Sequence, residues 1–196
     1  MKSLTNGITD ILIESGAVSE KERHIYHYCV EGLIEMGGNL LLTVIIGILA
    51  GKLLETILFL LIIIPLRSIA GGFHAESGRV CFVISLLIYI LTIFTADVMT
   101  VNLNSGFSLW LFAIGITIIL ILSPVDCKNK RQSAEEKKRN KKRSFAFIGL
   151  ISIIFMILSV LKLTSLCFLI ACSLTAVSIL LLLGAIKNLK SYRSGV

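Results

Sequence analysis

Six apolar runs, each about 17 to 25 residues long, constrain this chain more than any other feature, because a helix of that length just crosses the hydrocarbon core of a bilayer. They lie at roughly 32–50, 53–70, 80–100, 107–123, 145–161 and 164–186. The second is a candidate for a short or broken span, since its strongly apolar part stops near Leu66, after Pro65, and Arg67, Ser68 and a glycine pair follow. Apolar residues make up 56% of the chain and charged ones 16%, with only two prolines and a mean hydropathy of +0.92. That composition excludes a soluble globule, a collagen-like fibre and a disordered tail. The expected fold is all-α, a polytopic integral membrane protein with about six transmembrane helices and amphipathic helices at its N-terminus.

The net charge of +7 reads as orientation in the bilayer, with no nucleic-acid partner implied. If the N-terminus is cytoplasmic and all six runs cross, every Lys and Arg except Lys52 and Lys162 falls on the cytoplasmic side. Flanking basic residues resist translocation, so both termini are expected inside. If 32–70 were instead a re-entrant pair, the parity of everything after it would be unchanged.

Residues 1–30 form a separate interfacial segment, ahead of a membrane domain at 31–196 whose cytoplasmic basic loop spans about 124–144. They are not a cleavable signal peptide, because Asp10, Glu14, Glu20 and Glu22 interrupt any apolar core. Leu4, Ile8, Ile11, Leu12 and Ile13 recur at helical spacing and predict a stripe lying on the inner membrane surface. Ser19 and Glu22 make a capping-box pattern for a second helix that could run into the first span.

The stretch that could carry chemistry runs from Arg67 to Cys81, RSIAGGFHAESGRVC, at the cytoplasmic face between the second and third runs. A histidine and a cysteine beside a membrane boundary can form a nucleophilic pair, with the imidazole as base. The bland alternative is a polar loop that happens to contain both. On one continuous helix His74 and Cys81 would be about 10 Å apart along the axis, beyond hydrogen-bond reach. A working pair therefore requires the chain to leave the helix between them, and Gly71, Gly72 and Gly78 permit it. Ser77 would cap the third span and leave Cys81 in its first turn. There the helix dipole and Arg79 favour a thiolate, provided that Cys81 faces a polar pocket.

Arg67, Gly72, His74, Ala75 and Cys81, in the order R-x-x-x-x-G-x-H-A-x-x-x-x-x-C, resemble the central motif of the AgrB family of accessory gene regulator peptide-processing membrane enzymes. The six runs, the amphipathic start and Ser123-Pro124-Val125-Asp126 ahead of a basic loop extend the resemblance over most of the chain. After Asp126 the chain departs from it, running Cys127-Lys128-Asn129-Lys130 with no proline shortly after the Asn-Lys pair. Cys127 thereby becomes a rival nucleophile, ranked below Cys81 because no histidine lies near it in sequence.

The resemblance implies a cysteine endopeptidase of the bacterial cell membrane whose active site lies at the cytoplasmic side. Its catalytic residues would be Cys81 and His74, with Arg67, Gly72, Glu76 and Ser77 shaping the site. The substrate would be an AgrD-like precursor peptide, cut at the C-terminal side of its signal segment and cyclised to a thiolactone or lactone. No cofactor and no metal are called for. Lys128, Lys130, Arg131, Lys137, Lys138 and Arg139 would dock an acidic tail on that peptide, while the same basic run also lies against anionic lipid. Glu35 or Glu76 could orient His74 as a third member. The rival reading from another class is a non-enzymatic peptide transporter or membrane scaffold.

The remaining polar residues read more plainly. His24, His27 and Cys29 do not make a metal site, because Cys29 points elsewhere on the helix and no fourth ligand is near; packing with Tyr26 and Tyr28 is expected. Asp97, like Glu35, is an intramembrane acid and so a functional candidate. Gly47 and Gly51 form a small-xxx-small pair that could support a homodimer. Cys167 and Cys172 are apolar fillers, and no disulfide is expected in a reducing compartment.

Overall fold

The computed structural model describes residues 2–16, 19–71, 78–102, 104–125 and 133–193, the side chains of 2–4, 21, 78, 79, 102, 105 and 187–193 excepted. Seven α-helices follow in order: α1 (Lys2–Glu14), α2 (Arg23–Leu49), α3 (Leu53–Ala70), α4 (Gly78–Asn102), α5 (Ser105–Leu122), α6 (Ala134–Val160) and α7 (Thr164–Arg193). Five of them, α2, α3, α4, α6 and α7, are long and apolar enough to cross a membrane, and α5 contributes the shorter apolar helix Gly106–Leu122. The six apolar runs of the sequence thus correspond to α2 through α7.

The second run is not broken. α3 continues through Pro65 to Ala70, so the proline ring is accommodated where its missing N–H leaves one carbonyl a turn earlier without its usual partner. At its other end α3 meets α2 closely. A side chain at Gly47 would collide with the side chain of Thr56, and Gly51 turns the chain with φ 66°. The glycine pair is therefore used inside the chain, to close the α2–α3 hairpin.

α7 forms the centre of the bundle. Phe168, Leu169, Ile170, Ala171, Leu174, Val177 and Leu181 are buried, and the helix packs against α3, α4, α5 and α6. Phe112 of α5 stacks on Phe155 of α6 with ring centroids 4.0 Å apart. Cys167 and Cys172 are buried in this core, as fillers should be. Hydroxyls that would otherwise be stranded in hydrocarbon bond back to the helix: Ser173 Oγ donates to Leu169 O at 2.7 Å and Thr175 Oγ1 to Ala171 O at 2.8 Å. Such bonds satisfy each polar group within its own segment.

A 3-10 turn at Glu20–Glu22 leads directly into α2, so the second N-terminal helix runs into the first span as its pattern allowed, but its N-cap is Glu22 and not Ser19. α1 packs on α2, and its Thr5 and Thr9 are buried. Arg23 donates to Asp10 at 2.6 Å and His27 Nε2 pairs with Asn6 Oδ1 at 2.9 Å. Ile8 and Ile11 of the apolar stripe stay exposed, Ile11 at 65%, as a surface-lying face requires. His27 thus links α2 to α1 by a hydrogen bond, while Tyr26 and Tyr28, its expected packing partners, are exposed.

At the far end of the α2–α3 hairpin, Lys52 Nζ donates to Asp97 Oδ1 at 2.7 Å and lies 3.8 Å from Glu55. The intramembrane acid Asp97 thus belongs to an ion pair that ties the hairpin turn to α4. Its hydrogen bond, opposed by partial burial, holds the Lys52 ammonium above its ordinary range.

Candidate active site

The site region lies at the opposite end of the bundle from Lys52, where α3 ends and α4 begins. Arg67 occupies the last turn of α3 and is half-buried. One turn on, Ala70 is fully buried and Gly71 ends the helix with φ 74° and ψ −140°, a conformation that disfavours any side chain. The reason for the turn is a neighbour from far along the chain. Val125 N–H donates to Ala70 O at 2.9 Å, and Gly71 and Val125 form an isolated parallel bridge. A Cβ on Gly71 would overlap the carbonyl oxygen of Val125.

The Ser123-Pro124-Val125 segment is itself anchored from the other side. Ser123 Oγ and Ser144 Oγ are 2.9 Å apart and both residues are buried, which fastens the end of α5 to α6. The Ser123–Pro124 peptide bond is cis. The segment that closed the family resemblance is therefore clasped directly onto the helix carrying Arg67, a meeting that spacing along the chain could not show.

Cys81 is the fourth residue of α4, in its first turn, as expected, and is half-buried. Its thiol is free, as are those of Cys29, Cys167 and Cys172. Cys29 is exposed on α2. Across from Cys81, Asn39 of α2 donates from Nδ2 to the carbonyl oxygen of Phe82 at 3.2 Å, and Thr43 Oγ1 donates to Asn39 Oδ1 at 3.3 Å. Glu35 sits one turn before Asn39 on the same face of α2. Asn39 escaped the sequence analysis; the signal available was an amide inside an apolar run.

His74, Gly72, Glu76 and Ser77 lie outside the described residues, as do Cys127, Lys128, Lys130 and Arg131. The rest of the basic run is not a loop. Ser133 Oγ accepts from Glu136 N–H at 3.2 Å while Ser133 N–H donates to the Glu136 carboxylate at 2.9 Å, a capping box that starts α6. Glu135 and Glu136 in the first turn suit the positive helix end. Lys137, Lys138 and Arg139 therefore stand on the same helix that continues into the membrane. Lys138, Lys141, Lys142 and Phe145 line a shallow depression of about 320 Å³ on it. Among the described residues no group of His, Cys, Asp and Glu could hold a metal ion.

Comparison with known proteins places this arrangement in a context. The family model described as Accessory gene regulator B matches residues 5–183. A putative AgrB-like protein of Clostridium perfringens (strain SM101 / Type A) is 30% identical over 146 residues, covering 72% of this chain and 68% of that protein. Putative AgrB-like protein 2 of Clostridium perfringens (strain 13 / Type A) is 28% identical over 146 residues, with the same coverage. The protein FsrB of Enterococcus faecalis (strain ATCC 47077 / OG1RF) is 29% identical over 86 residues, covering 44% of this chain and 36% of its own length. No solved structure matches.

Proposed function

Because this chain belongs to the accessory gene regulator B family, whose members take part in quorum-sensing peptide processing, we propose that it is a membrane-embedded cysteine endopeptidase and cyclase acting on an AgrD-like precursor. The observation that carries the reading is the position of Cys81. It stands half-buried in the first turn of α4, ten residues beyond the clasp that Gly71 and Val125 close over the end of the Arg67 helix.

In this mechanism His74 removes the thiol proton as Cys81 Sγ attacks the carbonyl at the C-terminal end of the signal segment. The tetrahedral intermediate collapses, His74 returns the proton to the leaving amine, and the C-terminal tail departs. A thioester between the signal segment and Cys81 remains. A cysteine or serine side chain within the signal segment then attacks that thioester, closing a thiolactone or lactone and restoring the Cys81 thiol. No water is consumed, and an apolar surround protects the thioester from hydrolysis. Arg67 holds the peptide backbone or a substrate carboxylate.

The orientation proposed has both termini and this site on the cytoplasmic side. Lys52 and Lys162, the two exceptions to the charge bias, lie in the short turns between α2 and α3 and between α6 and α7, which suit the outer face. The basic start of α6, with Lys137, Lys138 and Arg139, then faces the cytoplasm beside the site, where it docks the acidic tail of the precursor.

Intact mass spectrometry of the protein in nanodiscs, incubated with the precursor peptide encoded beside it, tests the reading. Peptide acylated on wild type and on Cys127→Ala, with release of the C-terminal tail, and neither event on Cys81→Ala or His74→Ala, is the expected result. Peptide binding with neither event on wild type would reassign the chain as a peptide carrier.

A further inference from the structure

The end of α4 that bears Cys81 is weakly held by apolar packing. Among the described side chains the first buried residue of α4 is Tyr89, about two turns beyond Cys81. Val80 is 50% and Val83 53% exposed. Among the described residues α2 meets this end: the Phe82 ring lies where a side chain on Gly38 would touch it, and Asn39 Nδ2 donates to Phe82 O at 3.2 Å. At the other end of the Asn39 amide, Oδ1 accepts from Thr43 Oγ1 at 3.3 Å. A flipped amide would set its oxygen against the Phe82 carbonyl oxygen, which can only accept, so that carbonyl fixes the amide's orientation.

An amide in an apolar span is costly unless its hydrogen bonds are made, so this link persists where a looser contact would slide. It attaches to the backbone of the residue next to Cys81, and therefore sets both the height and the rotation of the first turn of α4 against α2.

We propose that Asn39 is a positioning residue for the Cys81 thiol. It touches neither the reacting atoms nor the substrate; it fixes the turn from which the nucleophile projects. The inference rests on the peptidase reading and adds to it the part of α2 that the reaction uses. Small displacements of a reacting group slow a reaction by up to about 100-fold, so the effect belongs to the chemical step and not to peptide binding.

The test is single-turnover acylation of the full chain in nanodiscs by the precursor peptide, followed by intact mass over a range of peptide concentrations. Expected for Asn39→Leu is a saturating acylation rate lowered about tenfold or more, with the half-saturating peptide concentration within about twofold of wild type and the final acylated fraction preserved. A purely structural role would instead lower the final acylated fraction and leave the rate of the acylating chains unchanged; that result overturns the inference. If Asn39→Leu does not fold, Thr43→Val, which releases the amide's other end, is expected to slow acylation about two- to fivefold, and an unchanged rate overturns the proposal. Wild type that binds peptide without acylation sinks the peptidase reading, and this inference with it, whereas active wild type with an equally fast Asn39→Leu sinks this inference alone.

Discussion

The carbonyl oxygen of Val125 occupies the place where a side chain on Gly71 would begin. Two segments far apart in the chain, the end of the Arg67 helix and the stretch leading into the basic residues, thereby start from one fixed point.

Gly71→Ala should accordingly be among the most damaging single-methyl changes in the protein. It adds the penalty of an extended, positive-φ backbone region essentially reserved for glycine, about 1 to 3 kcal/mol, to a clash with main-chain oxygen, which has no flexible end to move. We expect a thermal midpoint lowered by several degrees and loss of precursor cleavage. Gly106→Ala, with open space around it, serves as control and should leave both unchanged.

His74→Ala should lower acylation by about 100-fold or more, the usual range for losing a general base, while peptide still binds. Acylation at the wild-type rate in that variant would remove His74 from the mechanism. The discriminating measurement is the rate under single turnover, with binding followed separately by fluorescence anisotropy of labelled peptide.

The basic start of α6 should act through screened charge. Replacing Lys137, Lys138 and Arg139 together with Gln is expected to weaken peptide binding at low salt and to flatten its dependence on ionic strength, because exposed charges lose their reach beyond a Debye length of about 10 Å at 0.1 M salt. Equal salt dependence in wild type and variant would exclude these residues from docking.

The Lys52–Asp97 pair makes a small, pH-marked contribution. Both side chains are partly exposed, so Asp97→Asn should cost no more than about 1 kcal/mol. The folded-state pKa of Lys52 is raised above its ordinary 10.5. A raised pKa means that the contribution is complete below that ordinary value and disappears as pH climbs through the higher folded one. The stability difference between wild type and Asp97→Asn should therefore stay constant from about pH 7 to 10 and shrink above that range.

Much of the architecture was legible along the chain. The apolar runs marked α2 to α7, because length and hydropathy alone decide what can cross a bilayer. The start of the third run placed Cys81 in a first helical turn. The capping box at Ser133 and Glu136 was present as a pattern too, yet the density of charge beyond it suggested a loop. A helix whose basic half stands in water needs no apolar face there, so periodicity was silent.

What only the tertiary structure decided is which helices touch. The spans are apolar on every side, since lipid and protein core are equally nonpolar, and hydrophobic patterning cannot distinguish them. Nothing local marks α7 as central, sets Val125 against Gly71, joins Asn39 to the carbonyl beside Cys81, or pairs Lys52 with Asp97. Each of these depends on close backbone approach or on a polar group finding its one partner across the bundle. Sequence alone therefore determined which segments are long and apolar enough to cross a membrane and that the candidate nucleophile stands in the first turn of a helix. The packing of the helices determined what holds that nucleophile in place.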